Sequence, residues 1–364
     1  MMQNTKLILL EGLPGTGKST KCHFLSMQLG REGKPARWMH EVARPHPVLF
    51  FDEASLTHAE YHSFLQEYPQ CEPILKRMAV FRKETVGIDL LELEWNALHK
   101  IGERAIQTLR QYDVWNFPLE KYADVATEKW SYFAQNALQG DAIYILDSSI
   151  FQYQIFTYLL KNEQRQLEWF IPRLMEILAP LNPNLIYLYR QNARDTISFL
   201  EKLRGTQAMQ NTWERDKAHP YYSDKPQGVE GNKRFLMDYA AIAQQLFDRV
   251  GCRKTAIEIS KEDWGASEDA ILAFLGAQRK VYPYALAPSG IFRNEALAQE
   301  FEIHDRWMKD PYGKQRALTP KSNNEFYVEC LPVVLHYHGP DQIRISGEQI
   351  CERWTTTGTR FIRI

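Results

Sequence analysis

Gly12-Leu-Pro-Gly-Thr-Gly-Lys-Ser19 decides the reading of this chain, because it fits the spacing G-x-x-x-x-G-K-[ST] at every position. Glycines at 12, 15 and 17 let the backbone curl so that successive N–H groups converge on phosphate oxygens, and a helix N-terminus behind them adds partial positive charge. The nucleotide-binding set is therefore Gly12, Pro14, Gly15, Thr16, Gly17, Lys18, Ser19 and Thr20. Lys18 supplies the point charge for the β- and γ-phosphates. Ser19 offers its hydroxyl to Mg²⁺, with Thr20 as a second candidate. The flanks agree with this motif. Apolar Lys6–Leu10 predicts a buried strand before it, and Cys22, Phe24, Leu25, Met27 and Leu29 permit a helix after it that Gly30 can stop.

Further along, Ala36–His40, Ala142–Leu146, Asn184–Tyr189 and Lys254–Ile259 read as strands, and helical stretches separate them. That alternation predicts an α/β fold, a doubly wound parallel sheet of the P-loop NTPase class, over residues 1–278. Residues 52–140 read as a helical insertion, with helical periodicity at Leu90–Leu109 and Val125–Leu138. The Gly-, Pro- and charge-rich stretch 204–234 reads as a mobile loop or lid. Past Gln278 the character changes. Residues 279–364 read as a small antiparallel β-rich module leaning on the main domain, with a charged helical stretch at 293–309 and turns at His338–Asp341 and Thr357–Gly358.

With 44 Lys+Arg against 45 Asp+Glu, the net charge of −1 gives no global field for nucleic acid or an anionic membrane, so any polyanion must be held locally. No stretch approaches the ~18 apolar residues of a membrane span, and Met1–Lys6 shows no signal-peptide pattern. The five cysteines are scattered (Cys22, Cys71, Cys252, Cys330, Cys351) and form no C-x-x-C pair, which points to a reducing, cytoplasmic setting. Association as a homodimer stays open.

The loop Glu11–Ser19, the Glu41-x-x-Arg44 after the second strand, Asp147 after the third and a basic lid before a late helix resemble the P-loop small-molecule kinases of the nucleoside monophosphate kinase-like group, in pattern like thymidylate kinase and the deoxynucleoside kinases. The resemblance covers about residues 5–278. It implies that Glu41 orients or deprotonates the acceptor hydroxyl, that Arg44 faces substrate phosphate, and that Asp147 reaches Mg²⁺ through water or holds Ser19. It also implies that lid arginines, for which Arg204 and Arg215 are the candidates, close over the phosphates. One departure is plain: where these kinases carry acid then arginine, this chain has Asp147-Ser148-Ser149. Bland roles stay open beside these: a surface Glu41–Arg44 pair, Asp147 or the two serines as helix caps, and a solvated charged loop at 204–234.

The aromatic excess supplies acceptor-site candidates in Phe50, Phe51, Tyr61, Tyr112, Trp115, Trp130, Phe151 and Tyr153, with Gln152 as an amide suited to a base edge. Each ring can equally be core. The expected ligands are ATP, Mg²⁺ and a small-molecule acceptor, with no nucleic-acid or membrane partner; ATP is preferred to GTP because no N-K-x-D tetrad is present. Two functions fit: a Mg²⁺-dependent phosphotransferase moving the γ-phosphoryl of ATP to a nucleoside, nucleotide or other small alcohol, or a catalytically weak nucleotide-binding or ATPase module that regulates a protein partner.

Overall fold

The computed structural model of the chain describes residues 4–49, 51–282, 284–348 and 359–364. Of the positions used above, residues 1–3, Phe50, Cys351 and the Thr357–Gly358 turn lie outside the described residues. The chain opens with β1 (Leu7–Gly12), turns through the glycine loop into α1 (Lys18–Arg31) and returns as β2 (Ala36–Met39). Next come β3 (Glu53–Thr57), α2 (His58–Glu67), α3 (Glu72–Met78), β4 (Val80–Phe81), β5 (Thr85–Asp89), α4 (Leu90–Ile101) and α5 (Glu103–Arg110). Then follow α6 (Leu119–Gln139), β6 (Ile143–Asp147), α7 (Phe151–Leu160), α8 (Leu167–Leu178), β7 (Asn184–Tyr189), α9 (Ala193–Arg204), α10 (Thr206–Asp216), α11 (Gly228–Arg249), β8 (Arg253–Glu258) and α12 (Trp264–Leu275).

Strands β2-β6-β1-β7-β8 form one parallel sheet, with the glycine loop leaving its central strand. This is the expected doubly wound P-loop core. Both faces of a parallel sheet are covered, so its inner strands β1, β6 and β7 are almost wholly buried, while the edge strands β2 and β8 carry Arg37 and Arg253, Lys254 and Glu258. Leu7 and Leu9 pack with α6, α7, α8 and α11, whereas Ile8 and Leu10 pack with Cys22, Leu25 and Leu29 of α1 and Ile271, Leu272 and Leu275 of α12.

The stretch 52–140 differs from the helical insertion expected. β3, β5 and β4 form a three-stranded antiparallel sheet, and Ala54, Leu56, Val86 and Ile88 join α2–α5 in a separate apolar cluster. Strands this short leave little period-two signal beside long helices. Helix α6 belongs to the main core instead, through Tyr122, Val125, Trp130 and Phe133. Helical periodicity at 90–109 is real but broken at Gly102, whose φ of 83° separates α4 from α5. The supposed loop at 204–234 is also structured: Gly205, φ 83°, starts α10, which packs along α11.

The C-terminal segment is β-rich as expected, and it closes completely. β9 (Ala287–Asn294), β10 (Gln299–Asp305), β11 (Trp307–Lys309), β12 (Gln315–Pro320), β13 (Glu325–Val328), β14 (Val333–Tyr337), β15 (Gln342–Gly347) and β16 (Arg360–Arg363) form an eight-stranded antiparallel barrel in which β16 pairs with β9. Phe292, Phe301, Ile303, Phe326, Leu335, Ile345 and Phe361 fill its interior. The expected helix at 293–309 is instead the β9–β10 hairpin running into β11, because Phe301 and Ile303 alternate inward with a period of two. The barrel leans on α1 and β2: Arg37 pairs with Glu348 at 2.7 Å, Arg31 donates to the Lys321 carbonyl at 3.3 Å, and Val42 packs against the barrel core.

Candidate functional site

The glycine loop is built by backbone conformations that only glycine adopts cheaply. Gly12, Gly15 and Gly17 have φ of 147°, 84° and 81°. A Cβ on Gly12 would lie 2.4 Å from the Leu188 carbonyl, so the loop and β7 fit together only without a side chain there. Thr16 Oγ1 donates to the Leu13 carbonyl at 2.8 Å and closes the turn from within. Lys18 is buried along its stem, and its Nζ donates to the carbonyls of Gly12 and Leu13 at 2.9 and 3.1 Å. A cation is thus held at the loop with its hydrogen bonds on neutral carbonyls, while its charge acts on the buried carboxylates of Glu11 and Asp147.

Two carboxylates lie under the loop. Asp147 is fully buried; Ser148 Oγ donates to its Oδ1 at 2.9 Å, and its Oδ2 has no hydrogen-bond partner. Burial pushes the Asp147 carboxyl up, and the charge of Glu41 pushes in the same direction. Ser19 and Asp147 are hard oxygen donors, a set that suits Mg²⁺ with its remaining positions filled by water and phosphate. Glu11 is also buried, and its Oε1 accepts from the N–H groups of Ile150 and Phe151 at 2.7 and 3.1 Å. Burial lifts Glu11 to about 7, opposed by those N–H groups and Lys18. Glu11 therefore caps α7, and neither Asp147, Ser148 nor Ser149 does so.

A cavity of about 830 Å³ opens on the loop. Of the residues singled out in the sequence, Pro14, Gly15, Gly17, Lys18, Ser19, Thr20, Glu41, Phe51, Trp115, Gln152, Tyr153, Arg204 and Arg215 line it. Glu41 is fixed there by neighbours on α7: Gln152 Nε2 donates to its Oε2 at 2.9 Å, and Tyr153 OH donates to its carbonyl at 2.9 Å. Thr20 looks partly toward the barrel, with Oγ1 3.6 Å from Cys330 Sγ. Tyr61, Trp130 and Phe151 are buried core, Tyr61 within the insertion.

Arg44 sits elsewhere than its spacing suggested. Its guanidinium is buried away from the cavity lining, 3.2 Å from Asp89 and 3.8 Å from Asp52, over the ring of Phe51. Arg44 and Glu41 do not form a surface pair. Arg204 is exposed at the end of α9, while Arg215 is bound in bidentate fashion to Asp216, both contacts 2.6 Å.

Sequence reading missed several residues of this site, four of which bear on its chemistry at the loop and walls. Trp264 lies against Gly17, Lys21 sits 4.8 Å from its ring centre, and the ring is 39 % exposed at the cavity rim. Phe199 lines the same wall, under Arg190, which is held by Glu262 at 3.1 Å. Asp113 lines the far end and is only 8 % exposed. Glu11 carried one local sign, a carboxylate ending an apolar strand; the other three carried none.

No protein-family model matches the chain, and no curated protein matches it in sequence. Among solved structures, the chain is similar at 14 % identity to a deoxyadenosine kinase from M. mycoides with bound dATP, over 74 % of this chain and all of that one, with a TM-score of 0.33. It is also similar at 14 % identity to the sulfotransferase domain from the curacin biosynthetic pathway, over 76 % of this chain and 75 % of that one, with a TM-score of 0.34.

Proposed function

We propose that this chain is a Mg²⁺-dependent phosphotransferase that moves the γ-phosphoryl group of ATP to a hydroxyl of a small-molecule acceptor. One observation carries the reading: the complete glycine loop with Lys18, and the α7-anchored carboxylate of Glu41, open onto a single cavity of about 830 Å³, large enough for both reactants.

In this reading the loop amides and Lys18 hold the β- and γ-phosphates, once Lys18 leaves the carbonyls of Gly12 and Leu13 for the stronger anionic partner. Ser19 and Asp147 would hold Mg²⁺, which neutralises phosphate charge when bound. Trp264 offers a face to the base. Glu41 accepts the acceptor hydroxyl's proton as that oxygen bonds to the γ-phosphorus; the bond from γ-phosphorus to the β–γ bridging oxygen breaks, and ADP leaves. Arg204 makes no ion pair among the described residues and is the lid cation we assign to the transferring group; Arg215 joins it only by leaving Asp216. Arg44 drops out of the phosphate-binding set.

Residues 1–278 form the catalytic unit in this proposal, and 279–364 brace α1 and β2. A cytoplasmic location, where ATP is supplied, suits the free thiols of Cys22, Cys71, Cys252 and Cys330. Among the described residues no helix is long and apolar enough to cross a membrane.

The test mixes the protein with Mg·ATP and a panel of nucleosides, nucleotides and small alcohols and follows ADP. Release above that of a Lys18→Ala control is expected for at least one acceptor. ATP binding with no acceptor-stimulated release overturns the kinase reading in favour of a nucleotide-binding regulatory module.

A further inference from the structure

Resting on the phosphotransferase reading, we infer that the acceptor is an amine-bearing alcohol, with its hydroxyl at Glu41 and its ammonium group against Asp113 and Asp52. The wall that runs from Glu41 to Asp113 is continuous. Gln152 and Tyr153 hold Glu41, the Tyr153 ring meets Phe51 edge-on at 5.9 Å, Asp52 follows Phe51, and the charge of Asp52 acts on Asp113. Trp115 comes next, its N–H bound to Asp113 Oδ1 at 3.0 Å.

Three carboxylates, Glu41, Asp52 and Asp113, line the cavity on this side, and the lining cations, Lys18, Arg204 and Arg215, come from the glycine loop, α9 and α10. The cations behind the wall are already committed. Arg44 is held by Asp89 and Asp52, and Arg110 by Glu94 and, at 3.4 Å, Asp52. Glu92 lies beside Asp89, and Glu53 holds Arg82 and Lys129 at 3.0 and 2.7 Å. Seven carboxylates (Glu41, Asp52, Glu53, Asp89, Glu92, Glu94, Asp113) thus face four cations (Arg44, Arg82, Arg110, Lys129) across this wall and its backing.

An acceptor phosphate would meet this surplus of negative charge beside Ser148, which carries no charge to offset it. A protonated amine meets carboxylates together with the ring faces of Phe51, Trp115, Tyr153 and Phe156, an environment that favours cations twice over. Asp113 is the specificity residue of this wall. Burial lifts its carboxyl to about 6, against the pull of the Trp115 and Asp52 N–H groups and Arg110, so near neutral pH it is a largely ionised carboxylate in a poorly hydrated place, where an ammonium partner counts for more than in water.

The test measures binding by calorimetry with Mg²⁺ and a non-hydrolysable ATP analogue present, using matched probes: glucosamine against glucose, 2-deoxystreptamine against myo-inositol, and thymidine against its 5′-monophosphate. In the first two pairs the amine should bind about tenfold or more tightly than its neutral twin, as a charge-assisted hydrogen bond provides, and in the third the monophosphate should bind no more tightly than the nucleoside. Asp113→Asn, which keeps an oxygen able to accept from the Trp115 backbone N–H, should erase that preference while ATP affinity stays as it is; a melting curve is read beside it, since the Asp113 carboxylate also accepts from the Asp52 backbone N–H. Equal binding of the twins, tighter binding of the monophosphate, no binding of any probe while the analogue binds, or an unchanged preference in Asp113→Asn overturns the inference. ADP release is read separately: a neutral alcohol or monophosphate phosphorylated in preference to the amines sinks this inference and leaves phosphotransfer standing, whereas bound amines with no ADP release sink phosphotransfer itself.

Discussion

The guanidinium of Arg44 lies 3.2 Å from the carboxylate of Asp89, and this contact ties the segment after β2 to the last residue of β5 in the insertion. An arginine five residues past a strand of the parallel sheet is thereby a strut between two apolar clusters. The same side chain, 3.8 Å from Asp52, fixes the position at which the acidic wall begins.

Replacing Arg44 by Ala removes a buried cation and leaves Asp89 and Asp52 facing each other. A loss of about 3 kcal/mol in unfolding free energy is expected, since breaking a buried pair costs more than the pair itself contributes. Denaturant titration measures it. ATP affinity unchanged in the folded fraction is part of the prediction; a large loss of ATP affinity with full stability would return Arg44 to phosphate binding.

Lys18→Ala should cost about 2–3 kcal/mol of ATP binding, the range of a hydrogen bond to a charged group. The fold should survive, because Lys18 bonds only to carbonyls of its own loop. Nucleotide titration beside a melting curve separates the two effects.

Glu41→Gln should leave ATP affinity intact and lower turnover by roughly 10²–10⁴, the usual contribution of a positioned base. Gln152 can still bond to the new amide oxygen, so the loop after β2 should keep its place. Equal losses in ATP binding and turnover would make Glu41 a donor-site residue.

Trp264→Ala should weaken ATP by about 1–3 kcal/mol, the range of base–aromatic stacking, without changing the affinity of inorganic tripolyphosphate. Competition between the two ligands reads the difference directly. If both weaken alike, the ring serves to shape the loop at Gly17 and contributes no base contact.

Glu11 makes stability depend on pH. Its carboxyl is raised from 4.5 to about 7 in the folded chain, so between those values the native state binds more protons than the unfolded state. Unfolding free energy therefore falls as pH rises through this window, by about 3 kcal/mol in total. Glu11→Gln keeps an oxygen for the Ile150 and Phe151 N–H groups and should flatten this slope between pH 5 and 8 in thermal melts. A slope as steep as the parent's would assign it to another group.

Local patterns carried as far as local physics reaches. The glycine loop was legible because its shape lies in backbone conformations that its own residues impose, and the inner parallel strands β1, β6 and β7 because a sheet covered on both faces buries almost every residue there. Glu41 was singled out through the resemblance to P-loop kinases, and the structure places it on the cavity wall. What remained depended on partners far along the chain. Arg44 reads as phosphate-binding until Asp89 and Asp52 arrive; Trp264 reads as a helix start until the fold sets it on Gly17. The short strands of the insertion, the closure of β16 on β9, and the acidic wall from Glu41 to Asp113 are likewise products of assembly. By itself the sequence determined the shape of the glycine loop on which the proposed nucleotide phosphates would sit, since that needs one contiguous stretch. Only the tertiary structure decided what faces it, because the charge of a cavity is the sum over side chains that meet nowhere but in the folded chain.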